Sequence, residues 1–494
     1  MRSVLGRLIA AAAVTLVGCS LDLTNPNSPT PGQALKDPRT ATGQMVVGVL
    51  ATYRDNRATQ IRALGSYGRE TYYMFLTDGR FITGPYLQWK RNTSFEGGTQ
   101  WGRYGNYRNA YVAIKAINAV PTGTPTPTQL TAGEKAGALG LLKTFIALDM
   151  LHVIEARGAI GAVVDITDDG NAVLPIVSQD SVYKWITAKL DEAKADLDAA
   201  VTSGDPFYFP MHSGFSAFGV TANTPAGFIL FNRAIKARVE AKRGSLGCGA
   251  PCYARALTAL DTTWIADLTA TNRDNGVYVV YSVAPGDALN FASFQGDRNY
   301  YVHPSIDSIA GVTLDDRYRR KVAIAGSACG TSYTSPQTEV KVTATHRACT
   351  YFRNDAPIST IRNEELVLLR AEARWFTGDQ AGALTDLAVV RAGSGAPNPG
   401  ETAVVKFPGG PTTDDEFEEE LLLQRTLSLY QEAQRWVDYR RFGKLAELNT
   451  LAQDLAANFT VATVSPLPAQ ECDSRARAGN PGGVPLSCPG NAIP

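Results

Sequence analysis

The sequence predicts a mainly α-helical protein, in which paired helices form a body interrupted by irregular loops and short strands. Three observations support this. Apolar residues recur at spacings of three and four along most long segments. Tight turns such as Thr377-Gly378-Asp379 join successive periodic stretches. Two regions, about 67–104 and 275–360, lose the period and alternate Gly, Asn, Thr and aromatic residues, which marks long insertions of a kind that is uncommon without a function.

In chain order, Arg2 and Arg7 precede an apolar stretch, Leu8 to Val17, too short to cross a membrane comfortably. It ends in Leu16-Val17-Gly18-Cys19, which resembles the lipobox of bacterial lipoproteins. That resemblance implies a signal peptide over 1–18 and a lipid on Cys19. Residues 19–40 then read as the lipidated cysteine and a Pro/Asn/Ser/Thr-rich linker, and 41–494 as the body. Residues 41–57 open the first helix. Tyr104, Tyr107, Tyr111, Ile114 and Ile117 share a helical face that the Pro/Thr run at 121–128 terminates. Residues 131–157 form a helix with Leu141, Phe145, Leu148 and His152 on one side; His152 is expected to pack or cap. Residues 158–177 read as a loop with short extended pieces. Ser178 to Ala200 is amphipathic, with Val182, Trp185, Ile186, Leu190, Ala193 and Leu197 against Asp and Lys. Pro225 to Arg243 and Tyr253 to Leu260 form a helix pair, and β-prone runs lie at Val277–Tyr281 and Glu339–Thr345. Asn363 to Phe376 and Ala381 to Arg391 return to helix. There Ala371 and Ala383 lie twelve apart, a spacing that resembles a tetratricopeptide repeat. Glu416 to Gly443 is expected as one long helix with Leu423, Leu427, Tyr430, Ala433 and Val437 as its core stripe, followed by a Pro/Gly-rich tail after Val464.

With 47 basic and 47 acidic residues the formal net charge is zero, so no basic excess points to nucleic acid. Beyond the signal, no apolar stretch approaches the roughly 20 residues of a membrane helix, which leaves the lipid as the expected anchor. Seven cysteines include Cys19. The other six allow 15 pairings. Short loops in Gly/Pro/Ser-rich sequence favour Cys248–Cys252, Cys329–Cys349 and Cys472–Cys488, and an exported chain can keep them oxidised. Structural zinc is the rival reading, with His346 near Cys349 as the one suitably spaced histidine. No metal and no other cofactor is expected.

Several segments together resemble the SusD/RagB family of outer-membrane nutrient-uptake lipoproteins. The resemblance starts with LDLTNPNSPT (21–30) after the lipidated cysteine and WGRYGNYRNAYVAIKAINAV (101–120). It continues through RGAIGAVVDITDD (157–169), VYKWITAKLDEAKADL (182–197) and DDRYRRKV (315–322). NEELVLLRAEARWFTGDQAGALTDLAVVRA (363–392), LLLQRTLSLYQEAQRWVDYRRFGKL (421–445) and PLPAQE (466–471) complete it. In the late signature Gln434 stands for the family's His and Phe442 for its Trp. Asp315-Asp316-Arg317 lacks the family's proline, and the six cysteines are outside its pattern. The resemblance implies a tetratricopeptide-like helical body and a binding protein rather than an enzyme. It further implies a surface-exposed lipoprotein of the outer membrane that captures a glycan or peptide and passes it to a TonB-dependent transporter barrel. A lipid-anchored helical scaffold that organises envelope proteins without binding nutrient is the alternative.

The chain has no Gly-x-Ser-x-Gly elbow, no His-Glu-x-x-His and no P-loop. Asp165, Asp168, Asp169 and Gly170 faintly resemble a calcium loop, but Ile176 stands where its bidentate Glu belongs, so a solvated turn is expected. Asp438 and Arg441 can pair along a helix, with Trp436 packed inward. Aromatic residues beside polar groups are the ligand candidates, because flat rings stack on sugar rings while Asn and Arg bond hydroxyls. In the first irregular region these are Tyr72, Arg80, Tyr86, Trp89, Asn92 and Trp101, with Tyr73, Phe75 and Arg91 beside them. Arg298 and Tyr300, near Phe291, Phe294 and Tyr301, supply a second patch. Trp89 and Trp101 are expected to be partly exposed on one face.

Overall fold

The computed structural model describes residues 36–75, 101–322, 333–334, 342–456 and 459–488. The expected signal peptide, Cys19, most of the expected linker and Cys329 lie outside them.

Helix α1 (Pro38–Asp55) starts within the stretch expected as linker, because Asp37 accepts the Thr40 N–H and Pro38 fits the first turn. α2 (Arg57–Tyr67) leads through Gly68 into strand β1 (Thr71–Tyr73). A Cβ on Gly68 would lie 2.8 Å from the Trp436 backbone nitrogen, so this crossing requires glycine. α3 (Trp101–Ala119) and α4 (Ala132–Arg157) follow, the latter begun by a capping box between Thr131 and Glu134. α5 (Gln179–Ser203) ends at Gly204 in the left-handed conformation. α6 (Pro225–Arg243) and α7 (Ala250–Leu260) form the expected pair.

Next come β2 (Gly276–Val279), β3 (Tyr300–Val302), α8 (Pro304–Asp307), α9 (Asp316–Lys321), β4 (Tyr333–Thr334), β5 (Thr343–Ala344) and β6 (Ile358–Arg362). Among the described residues three antiparallel pairings result: β1 with β3, β2 with β6, and β4 with β5. α10 (Asn363–Trp375) and α11 (Gln380–Val390) are the predicted repeat unit. α12 (Asp414–Ser428), α13 (Arg435–Arg441), α14 (Ala452–Ala456) and α15 (Ala469–Arg477) complete the chain. α3, α4, α5, α6, α7, α10 and α11 stack successively, each against the next, and one apolar core runs through most of this series. The fold is therefore mainly helical, with short strands in the insertions.

Helix α4 is long and apolar enough to cross a membrane, contrary to the expectation that no such stretch exists, but 89% of its apolar window is buried in the body. It lies at the centre of the stack, where a helix is apolar all round. Its polar residues are paired inside. Asp149 accepts from Arg103 at 3.2 Å and from Asn106 at 2.7 Å, and Glu155 bonds Lys242. His152 packs as expected, between the Tyr53 hydroxyl at 3.1 Å and the Gln60 amide at 2.7 Å.

The single helix expected over 416–443 is two, α12 and α13. Gln431 and Ala433 adopt φ of 57° and 64°, which ends the helix and restarts it. Lys321 and Arg362 both donate to the Ser428 carbonyl, filling an acceptor that the break exposes. Asp438 then accepts from Arg425 at 2.7 Å and from Arg441 at 2.9 Å, the predicted helix pair, while Trp436 is buried and donates to the Ala462 carbonyl. Disulfides Cys248–Cys252 and Cys472–Cys488 are formed as expected. Cys349 is also disulfide-bonded.

Candidate functional site

Strand pairing joins the two sequence-distant aromatic patches. β1 and β3 align Tyr72 with Tyr301 and Tyr73 with Tyr300. The stem that leads into residues 76–100 therefore lies beside the loop that carries Phe291, Phe294 and Arg298. At the far end of that segment, α3 is fixed by Arg103, whose guanidinium sits 4.7 Å over the Tyr53 ring. Both ends of the segment are anchored in the core.

On this ribbon the Tyr73 ring meets Tyr300 edge-on at 4.9 Å and stacks with Phe75 at 6.2 Å. Arg62 lies over Tyr73 at 5.1 Å, and the Tyr73 hydroxyl donates to Asp297 at 2.5 Å. Burial, with the Asp297 carboxylate beside it, pushes the Tyr73 phenol up. Phe294 stacks on Phe352 at 5.4 Å, with the guanidinium groups of Arg298 and Arg347 at 5.5 and 5.9 Å from its ring centre. Phe291 and Phe352 are 58% and 39% exposed, and Arg298 is exposed. The result is a surface of rings flanked by guanidinium groups and a carboxylate, able to stack an apolar ring face and bond neighbouring hydroxyls.

Two predicted ligand contacts are corrected. Tyr72 is fully buried, with its hydroxyl 2.5 Å from Asp454, and Tyr300 is buried on the partner strand. These rings carry the platform from within and offer no face to a ligand. The alternation of aromatics in sequence hid this, because the short strands are buried on both faces. Arg298 is exposed, with its guanidinium beside the Phe294 ring. Arg80, Tyr86, Trp89 and Asn92 lie outside the described residues, as does the Trp101 side chain, although Trp101 opens α3. Sequence reasoning missed Phe352, Arg347 and Asp297. The run Tyr351-Phe352-Arg353 beside Cys349 was the available signal.

Beneath the ribbon, His303 links two elements. Its Nε2 lies 2.8 Å from Asp454 and its Nδ1 2.8 Å from the Ser305 hydroxyl. The imidazole is fully buried, and Nδ1 also accepts from the Ser305 backbone N–H. Burial pushes His303 down to about 4, so it is neutral at pH 7. The array caps α8 and fastens α14 to β1 and β3; Arg69 adds an ion pair to Asp454 at 3.4 Å. The turn at 165–170 is solvated as expected, with Asp168 paired to Lys115 at 2.6 Å.

Residues 315–477 match the model of the SusD family, SusD/RagB. The chain is SusD/RagB-like. Solved structures share its fold over nearly their whole length. A SusD superfamily protein from Bacteroides vulgatus superposes with a TM-score of 0.60 at 15% identity, covering 92% of this chain and 99% of its own. NanU of B. fragilis gives 0.56 at 15% identity, covering 93% and 99%. A laminarin-binding SusD-like protein gives 0.57 at 16% identity, covering 88% and 97%. No curated protein matches the sequence. In this SusD-like chain the matched family region runs from α9 to α15. The ring surface draws instead on β1, β3 and the loops at 290–299 and 349–356, so most of it precedes or interrupts the helices that carry the family pattern.

Proposed function

We propose that this SusD-like chain is a nutrient-binding lipoprotein of the outer membrane, working outside the cell without catalysis. It captures a glycan on the ring surface and delivers it to a TonB-dependent transporter barrel. The observation that carries the reading is the β1–β3 pairing, which sets the stem of the 76–100 segment beside exposed Phe291, Phe352 and Arg298. The match to the SusD family and the likeness to a laminarin-binding protein of the same fold support it. Trp89, Trp101, Tyr86, Arg80 and Asn92 are proposed to complete the surface from the adjoining segment, and Cys19 to hold the body to the membrane by its lipid. Titration with laminarin oligosaccharide and a panel of other glycans tests the binding claim. Fractionation of Cys19→Ala tests the anchor: the variant is expected to leave the membrane fraction, and a mature-length variant that stays there would refute lipid anchoring at this residue.

A further inference from the structure

Between α6 and α7 the chain makes one wide helical turn, Gly244–Cys248, and Gly249 then leads into α7. Gly247 and Gly249 flank Cys248 with φ of 104° and 65°, conformations open to glycine, and the turn brings Cys248 back onto Cys252. The two bonded sulfurs differ in access. Cys252 is fully buried in the first turn of α7. Cys248 is half-buried beside exposed Leu246, Gly247 and Ala250. A reagent from solvent therefore meets Cys248 first.

They also differ in electrostatics. Arg255 lies three residues beyond Cys252 on α7, with its Nη2 2.6 Å from the Cys252 sulfur and 3.4 Å from that of Cys248. Its Nε meets Glu240 at 3.2 Å, but that carboxylate also serves Arg243 at 3.0 Å and Lys236 at 3.5 Å. One anion is thus divided among three cations. Among the described residues no side chain caps α7, so the positive end of the helix dipole faces the same place. A disulfide sulfur is a weak acceptor and gains little from these groups. A thiolate gains from both the guanidinium and the helix N-terminus. The Cys472–Cys488 pair has different surroundings, an apolar cluster with Ile160, Val464 and Leu467.

We propose that Cys248–Cys252 is a redox-active disulfide that exchanges with small thiols, Cys248 being the attacked sulfur and Cys252 the leaving thiolate. An external thiolate forms a bond to the Cys248 sulfur as the bond to Cys252 breaks. The electron pair stays on Cys252, beside Arg255. A second external thiolate attacks the outer sulfur of this mixed disulfide and releases Cys248. Two thiols are oxidised to one disulfide, the protein pair takes up two electrons, and the two thiol protons pass to the cysteines. The reverse sequence oxidises thiols. A low leaving-group pKa speeds such exchange, which is the part Arg255 plays. The centre shares no residue with the ring surface and stands apart from the glycan reading.

The test uses the mature full-length protein in stepped ratios of reduced to oxidised glutathione. Acid quenching, alkylation with N-ethylmaleimide and peptide mass spectrometry then read each cysteine. Cys248–Cys252 is expected to open at ratios that leave Cys472–Cys488 closed, their equilibrium constants differing about tenfold or more. The transient glutathione adduct is expected on Cys248. Arg255→Leu should slow opening about threefold or more, through the higher pKa of the leaving thiol. Arg255→Lys should restore part of the rate, and the oxidised variants should keep their melting temperatures. Both pairs opening together, an adduct on Cys252, or a wild-type rate in folded Arg255→Leu would each overturn the proposal. If Arg255→Leu does not fold, the comparison of the two pairs and the position of the adduct in the wild type decide.

Discussion

The Glu70 carboxyl is enclosed where α2, β1 and α13 meet, and burial pushes it from 4.5 up to about 8 despite nearby Arg435. Between those values the folded state keeps a proton that the unfolded chain has lost, so stability falls as pH rises through the window. His303 acts in the opposite sense. Burial lowers it from 6.5 to about 4, so its contribution is complete above 6.5 and is lost as pH falls toward 4. Glu70→Gln should therefore flatten the decline in stability between pH 6.5 and 8.5, measured by urea unfolding at both values; an unchanged slope would remove Glu70 as its cause. Tyr72→Phe withdraws a buried donor from Asp454 and should cost about 1–3 kcal/mol. Glycan affinity should be unaffected. A large loss of affinity at unchanged stability would return Tyr72 to the ligand surface. At this scale the sequence identified aromatic residues but not their exposure. Tyr72 and Phe352 are both aromatic residues in β-prone sequence, and only the strand pairing separates the interior ring from the exposed one.

Among the elements, the periodic helices were legible because their stripes meet the core directly. Leu141, Phe145, Leu148 and His152 are all buried on α4, and Val182, Ile186, Leu190, Ala193 and Leu197 on α5. The break between α12 and α13 was not. Leu427, Tyr430, Ala433 and Val437 are all buried at helical spacing across it, and the left-handed residues are Gln431 and Ala433 rather than Gly or Asn. Compensation comes from Lys321 and Arg362, more than 60 residues away in sequence, which no local pattern reveals. α15 was hidden for a related reason, since Gly and Pro surround a nine-residue helix tied down by a disulfide. The hairpin at 161–177, which Ala162 and Val177 close by exchanging backbone hydrogen bonds, supplies a sharp test of local geometry. Gly161→Ala combines a left-handed φ of 79° with a backbone clash, a Cβ 2.0 Å from the Val177 carbonyl oxygen, and should cost about 1–3 kcal/mol or more by chemical denaturation. A variant as stable as the wild type would mean that the hairpin closes differently.

For the whole molecule, a stacked helical body presents its insertions on a rigid support, and the proposed binding surface is assembled from parts of the chain some 230 residues apart in sequence. The helical class and the late family-like segments were legible because each rests on local spacing. The joining of the two aromatic patches was not, because it depends on a three-residue strand pairing far along the chain. The central claim is that exposed rings and Arg298 on this surface bind glycan. Its most direct measurement is the affinity of the wild type, Phe352→Ala and Arg298→Ala for a panel of oligosaccharides that includes laminarin, with melting temperatures taken in parallel. The account predicts saturable binding of at least one glycan and, because a ring stacked on a ligand contributes about 1–3 kcal/mol, a weakening of roughly tenfold or more in Phe352→Ala. Arg298→Ala should weaken it as well, and neither melting temperature should move appreciably. A protein that binds no glycan in the panel, or binds one equally well in both variants, would contradict it.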